Sequence, residues 1–145
     1  MKKTIILACA AVMSLAACKK DKASLLKGEW ILTDIELDLS DTINMTPAEK
    51  AREIAEYEQF MQGFNTQKDS MKLTLRDSSS YTFAQAMGKV DGKWTLLPND
   101  TVIEFIAEGF EHEPPQHENI RLVNDEKLHL YDSIINGVMI FKRAK

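Results

Sequence analysis

The sequence predicts an all-β chain: eight short antiparallel strands joined in sequential order, with one helix between the first and second, forming an up-and-down barrel or a sandwich. Three observations carry this. Apolar and polar residues alternate with period two through most of the chain beyond residue 28. Turn compositions, Ser78-Ser79-Ser80, Pro98-Asn99-Asp100 and Asn136-Gly137, interrupt the alternation at short intervals. One stretch, beginning at Thr46, shifts to the helical period behind a capping signal.

The first 17 residues stand apart from this pattern. Met1-Lys2-Lys3 precedes "TIILACAAVMSLAA", which carries no charge until Lys19. A basic start, a short apolar run and small residues at its end predict a secretory signal, too short to span a membrane and stay there. Its end, Leu15-Ala16-Ala17-Cys18, resembles the lipobox of bacterial lipoproteins. The resemblance implies thioether diacylation of Cys18, cleavage before it and acylation of the new amino terminus. Two or three acyl chains anchor a protein stably, since each buried methylene adds about 0.8 kcal/mol. Cysteine arithmetic agrees: Cys9 leaves with the leader and Cys18 takes the lipid, so no thiol remains for a disulfide, a zinc site or a nucleophile. Lys19 stands where many such lipoproteins retained in an inner membrane carry aspartate. That implies the outer membrane, at its periplasmic face or the cell surface.

Residues 18–27 then read as a Lys-rich tether, and residues 28–145 as one domain. Removing the leader leaves 128 residues, enough for a single core. The leader holds two of the 18 basic and none of the 22 acidic residues, so the mature chain has a net charge of −6. That argues against nucleic acid as a partner. Lys19, Lys20, Lys22 and Lys27 are a local exception, and lysines beside an anionic membrane add roughly 1 kcal/mol each. A solvated linker would look the same.

The first strand covers Trp30 to Leu39. Ile35, Leu37 and Leu39 share one parity, Trp30 and Leu32 the other, which predicts a bulge or strong twist near Thr33. In the helix, Thr46 is the cap, Pro47 suits the first helical position and Glu49 completes a capping box. Ala51, Ile54, Ala55, Glu58 and Met61 line one side with Tyr57, Phe60 and Phe64 beside them, and Gly63 is placed to end the helix. Met71 to Leu75 is the second strand, and Tyr81, Phe83 and Gln85 mark the third. Val90 to Leu97 and Thr101 to Ala107 flank the Pro98-Asn99-Asp100 turn. Asn119 to Val123 and Lys127 to Ile135 follow. Asn136-Gly137 predicts a type I′ turn into Val138 to Arg143.

Gly28-Glu29-Trp30, opening the first strand, resembles the G-x-W signature of lipocalins, and Gly92-Lys93-Trp94 repeats the form midway. With the lipobox and the final hairpin, the whole mature chain resembles the lipocalin-like domains of bacterial outer-membrane lipoproteins. The resemblance implies an eight-stranded antiparallel up-and-down barrel. It also implies that Trp30 plugs one end with Arg143 across its ring, closing the last strand onto the first. Classical lipocalins add a disulfide, a recognisable middle motif and a helix after the last strand. This reading expects none of them, and places its helix as a lid over the open end instead.

Acyl-transfer machinery requires a nucleophile beside an oriented base, and the serines at 78–80 sit in a turn without that context. No phosphate loop, H-E-x-x-H or calcium-loop pattern occurs. The chain is expected not to be an enzyme and to use no cofactor. In "FEHEPPQHEN", His112 and His117 with Glu111, Glu113 and Glu118 offer weak candidate metal ligands, against the plainer reading of a solvated acidic loop. His129 alternates with Leu128 and Leu130 and is placed toward solvent. Trp94, Tyr81 and Phe83 either fill the barrel or line a pocket, roofed by Ile54 and Met61. The expected function is to bind or sequester a small apolar or amphipathic molecule. The alternative is a filled barrel that docks a cell-envelope protein.

Overall fold

The computed structural model describes residues 20–40 and 44–145. The leader, Cys18 and Lys19 lie outside them. A short helix α1 (Lys22–Leu26) leads into β1 (Gly28–Leu37), followed by α2 (Pro47–Gln67) and a 3-10 turn, Lys68–Ser70. Seven further strands complete the chain: β2 (Lys72–Leu75), β3 (Ser80–Gln85), β4 (Gly88–Leu96), β5 (Val102–Ala107), β6 (Gln116–Val123), β7 (Lys127–Asp132) and β8 (Gly137–Arg143). Each strand pairs antiparallel with the next, and β8 pairs with β1, so the sheet closes as an eight-stranded barrel with the helix between its first two strands. Among the described residues, closure leaves no exposed sheet edge and encloses one core.

The expected bulge lies in β1. Leu32 faces Phe141 and Asp34 faces Ile140, so Thr33 is the extra residue. Its hydroxyl donates to the Ile140 carbonyl at 3.0 Å. The insertion lets Trp30 and Leu32 below it, and Ile35 above it, all point inward and bury. A second register shift falls between Ile120 and Leu122 in β6. It leaves Leu122 exposed while Ile120 and Val123 pack on the core.

Four expectations are corrected. First, the domain begins before residue 28. Asp21 caps α1 by accepting from the Ser24 amide at 2.7 Å, and Leu26 is fully buried. Lys20 pairs with Asp125 and Lys27 with Asp77, while Lys22 donates to the Asp100 carbonyl. Most of the supposed tether therefore folds onto one end of the barrel. Second, α2 runs through Gly63 to Gln67 and closes with the Lys68 amide on the Phe64 carbonyl. Nothing there requires a left-handed residue, so the glycine stays helical.

Third, no type I′ turn joins β7 to β8. Asn136 has φ 48°, whereas Gly137 is not left-handed and starts β8. The loop spans residues 133–136, organised by Asp132, whose Oδ1 accepts from the Ile134 amide at 2.6 Å. Gly137 is required for a different reason: a Cβ there would meet the Glu36 carbonyl oxygen at 2.9 Å and Leu37 Cδ2 at 2.7 Å. Fourth, β6 begins at Gln116, three residues ahead of the expected Asn119. Its inward positions there are the polar Gln116 and Glu118, which disguised strand as loop.

Candidate functional site

The two ends of the barrel differ in chemistry. At the end carrying α1, Trp30 is fully buried and its indole N–H donates to the Leu26 carbonyl at 2.7 Å. Trp30 and Arg143 are register partners on β1 and β8, and the guanidinium carbon lies 4.1 Å from the indole centroid. The guanidinium also gathers the chain ends. Nε donates to Asp125 O at 2.7 Å, Nη1 to Lys27 O at 2.8 Å and Nη2 to Leu25 O at 2.6 Å. Gly28 leaves room for this, since a Cβ at its φ of +132° would strike Arg143 Nη1. Trp94 serves the same end: it is 5% exposed and its indole N–H donates to the Arg76 carbonyl.

The other end is hollow. A cavity of about 310 Å³ opens among the β3–β4, β5–β6 and β7–β8 turns. Gln85 and Val90 flank the first of these turns, Gln116 starts β6, Asp132 ends β7 and Met139 follows the last turn. Apolar walls come from Leu73, Phe83, Phe105, Leu130 and Phe141, with the rings of Tyr81 and Phe105 edge-to-face at 4.9 Å. Burial, and then the charge of Asp91, raise the Tyr81 phenol above its usual value.

Of the expected pocket residues, Tyr81 and Phe83 line this cavity; Trp94, Ile54 and Met61 do not. Ile54 is 39% exposed, Met61 packs against the core, and Phe64 is the one residue of α2 that buries. The helix packs on the core through Met61 and Phe64 in its C-terminal half, and none of its residues lines the cavity. Its apolar stripe is too short on burial to act as the expected roof.

The sequence reading missed the polar wall. Glu118 and Asp132 are register partners on β6 and β7, and both face inward, 1% and 8% exposed. Glu118 Oε1 accepts from Gln116 Nε2 at 2.6 Å. Glu118 Oε2 is buried with no hydrogen-bond partner among the described residues. Burial, reinforced by the charge of Asp132 and only partly offset by Gln116, pushes the Glu118 carboxyl up to about 8. A usable signal was present: Leu128, Leu130 and Asp132 share one parity, as do Gln116, Glu118 and Ile120.

The weak metal candidates separate on the same alternation. His117 points outward, with Nε2 3.1 Å from Glu104 Oε2, while its neighbour Glu118 points into the barrel. His112 and Glu113 stay in the exposed β5–β6 loop. Among the described residues, no three His, Cys, Asp or Glu side chains converge to hold a metal ion.

Comparison with solved structures places this barrel. A lipocalin-like protein from Bacteroides uniformis superposes with a TM-score of 0.52 at 13% identity, over 83% of this chain and 99% of that one. The fold is lipocalin-like. A DUF4847 family protein from Bacteroides vulgatus superposes with a TM-score of 0.51 at 14% identity, over 83% of this chain and 95% of its own. No family model matches the chain, and no curated protein matches it.

Proposed function

We propose that the chain is a membrane-anchored lipocalin-like lipoprotein that holds a small apolar or amphipathic molecule in the cell envelope and catalyses no reaction on it. The supporting observation is the cavity: about 310 Å³, walled by aromatic and aliphatic side chains, with a few polar groups on one side. Small-molecule sites share that size and that mixture. The test is uptake of a neutral, environment-sensitive apolar dye by the purified full chain carrying Cys18→Ala, so that no acyl group competes. Saturable fluorescence enhancement is expected, lost in Met139→Trp, where the indole would fill the space while β8 still pairs. A wild-type interior that never takes up the dye would remove the binder.

The rival reading, a non-catalytic module docking an envelope protein, draws on the rim. Met87, Phe110 and Ile134 are 96%, 57% and 80% exposed, one on each of the three turns around the mouth. Single exposed apolar residues are ordinary, and one on each of three separate turns is not by itself a contiguous patch. Ile31 and Tyr131 on the outer wall are half-buried. Arg121 lies over the Tyr131 ring at 4.9 Å. The hollow interior therefore favours the binder over a filled barrel.

Anchoring rests on Leu15-Ala16-Ala17-Cys18 after the apolar leader, and the outer-membrane destination on Lys19. Cys18→Ala is expected to abolish incorporation of labelled fatty acid and to shift the protein out of the membrane-anchored fraction. Unchanged labelling and fractionation in that variant would refute the anchor.

A further inference from the structure

We propose that the cavity's ligand is an organic cation, an amine with an apolar body, whose ammonium is received by Glu118 and Asp132. This rests on the reading of the barrel as a binder and specifies its ligand class.

Four observations lead there. Two inward carboxyl groups face each other across adjacent strands, an arrangement that destabilises a sheet unless something offsets it. The Glu118 side chain is 1% exposed, lines the cavity and keeps one oxygen without a partner among the described residues. A buried acceptor of this kind costs stability for as long as it goes unmatched. No Lys, Arg or His occurs among the described residues lining the cavity, so the protein supplies no cation of its own there. The remaining walls are aromatic and aliphatic, fit for a hydrocarbon body and for cation–π contact from Tyr81, Phe83 or Phe105. Glu118 Oε2 is the one buried side-chain oxygen left unmatched among the described residues, and an ammonium brings donors to it together with a positive charge that favours the ionised, accepting carboxylate. A carboxylate head would instead meet the negative charge of Asp132 in a low-dielectric site.

Backbone amides already hold Asp132, whose Oδ1 accepts from Ile134 N at 2.6 Å and Ile135 N at 3.4 Å. Gln116 holds Glu118 at its other oxygen. Both carboxyls are thus positioned before a ligand arrives, which lowers the ordering cost of binding.

The experiment is displacement of the neutral dye from the full chain carrying Cys18→Ala by n-octylamine, n-octanol and n-octanoate at neutral pH. The three share one hydrocarbon body and differ in the head group. Octylamine is expected to bind about tenfold or more tighter than octanol, with octanoate weakest, the range that a buried charge pair supports. Glu118→Gln, nearly isosteric, is expected to bring amine and alcohol within about threefold of each other. Dye and alcohol binding with no amine preference, or a preference that survives Glu118→Gln, would overturn the cation site and leave the binder intact. Failure of dye and all three compounds to bind would overturn both. Should Glu118→Gln not fold, the head-group series on the unaltered cavity decides alone.

Discussion

Arg143→Ala is expected to destabilise the barrel by about 3 kcal/mol, far more than removal of an ordinary surface arginine. The side chain has three duties at once. It stacks over Trp30, donates to three backbone carbonyls from two separate segments, and sits at the pairing of the last strand with the first. Cation–π contact contributes roughly 0.5–2 kcal/mol. Hydrogen bonds from a charged donor contribute about 1.5–3 kcal/mol each in favourable cases, and partial exposure brings the sum down. Loss of the guanidinium would leave the Leu25 and Lys27 carbonyls unmatched and uncover the indole beneath. Arg143→Lys is expected to recover little, because one ammonium cannot span three carbonyls in a plane. Urea unfolding of the two variants against the parent chain measures this. A loss under about 0.5 kcal/mol for alanine, the ordinary surface value, would show that closure does not depend on the arginine.

How much of this was legible in the sequence follows from which side chains carry the pattern. The G-x-W at Gly28 and Trp30, with the parity shared by Met139, Phe141 and Arg143, located the closed end because burial there is apolar and alternation displays it. The same logic exposed the bulge at Thr33, where inward parity changes between Leu32 and Ile35. It failed at β6. Gln116 and Glu118 are inward yet polar, so a rule that equates inside with apolar read a strand as loop and split the carboxyl pair from the pocket. The register partner of Glu118 is 14 residues downstream, at Asp132. Pairing of that kind is set by strand register across a turn, and no local window contains it. The helix shows the complementary failure. Thr46 and Glu49 form the capping box as expected, with Thr46 N donating to Glu49 Oε2 at 2.8 Å. A start signal specifies that a helix forms, while the surface it rests on depends on the barrel. The extent of α1 was hidden for a similar reason, since Leu25 and Lys27 matter through their carbonyls rather than their side chains.

Raising the pH from 5 to 9 is expected to destabilise the ligand-free barrel on the order of 4 kcal/mol through Glu118 alone. The carboxyl titrates near 4.5 in the unfolded chain and at about 8 in the folded one. Below 4.5 both states are protonated and the group has no effect. Between those values the unfolded chain releases the proton and the native one retains it, so the native state binds more protons and stability falls as pH rises. Above about 8 both states are ionised and the loss levels off. The figure is a ceiling, because water drawn into the cavity would shield the charge. The groups facing Glu118 are consistent with this window. Asp132 adds negative charge, Gln116 donates to one oxygen, and the raised Tyr81 phenol titrates only at higher pH. The lowered carboxyls, among them the exposed Asp21, Glu49 and Asp125 and the half-buried Asp91, act on the acid side. Glu118→Gln separates the contributions, since it keeps the shape and removes the titration. Its unfolding free energy is expected to stay nearly level from pH 5 to 9, and to exceed that of the parent chain at pH 9. Parallel pH profiles for the two proteins would place the Glu118 carboxyl in water rather than in the wall of a dry cavity. An organic cation in the cavity would weaken the trend, because it stabilises the ionised carboxyl and so draws the folded value down toward neutrality. Adding n-octylamine is therefore expected to flatten the profile of the parent chain and leave that of Glu118→Gln unchanged.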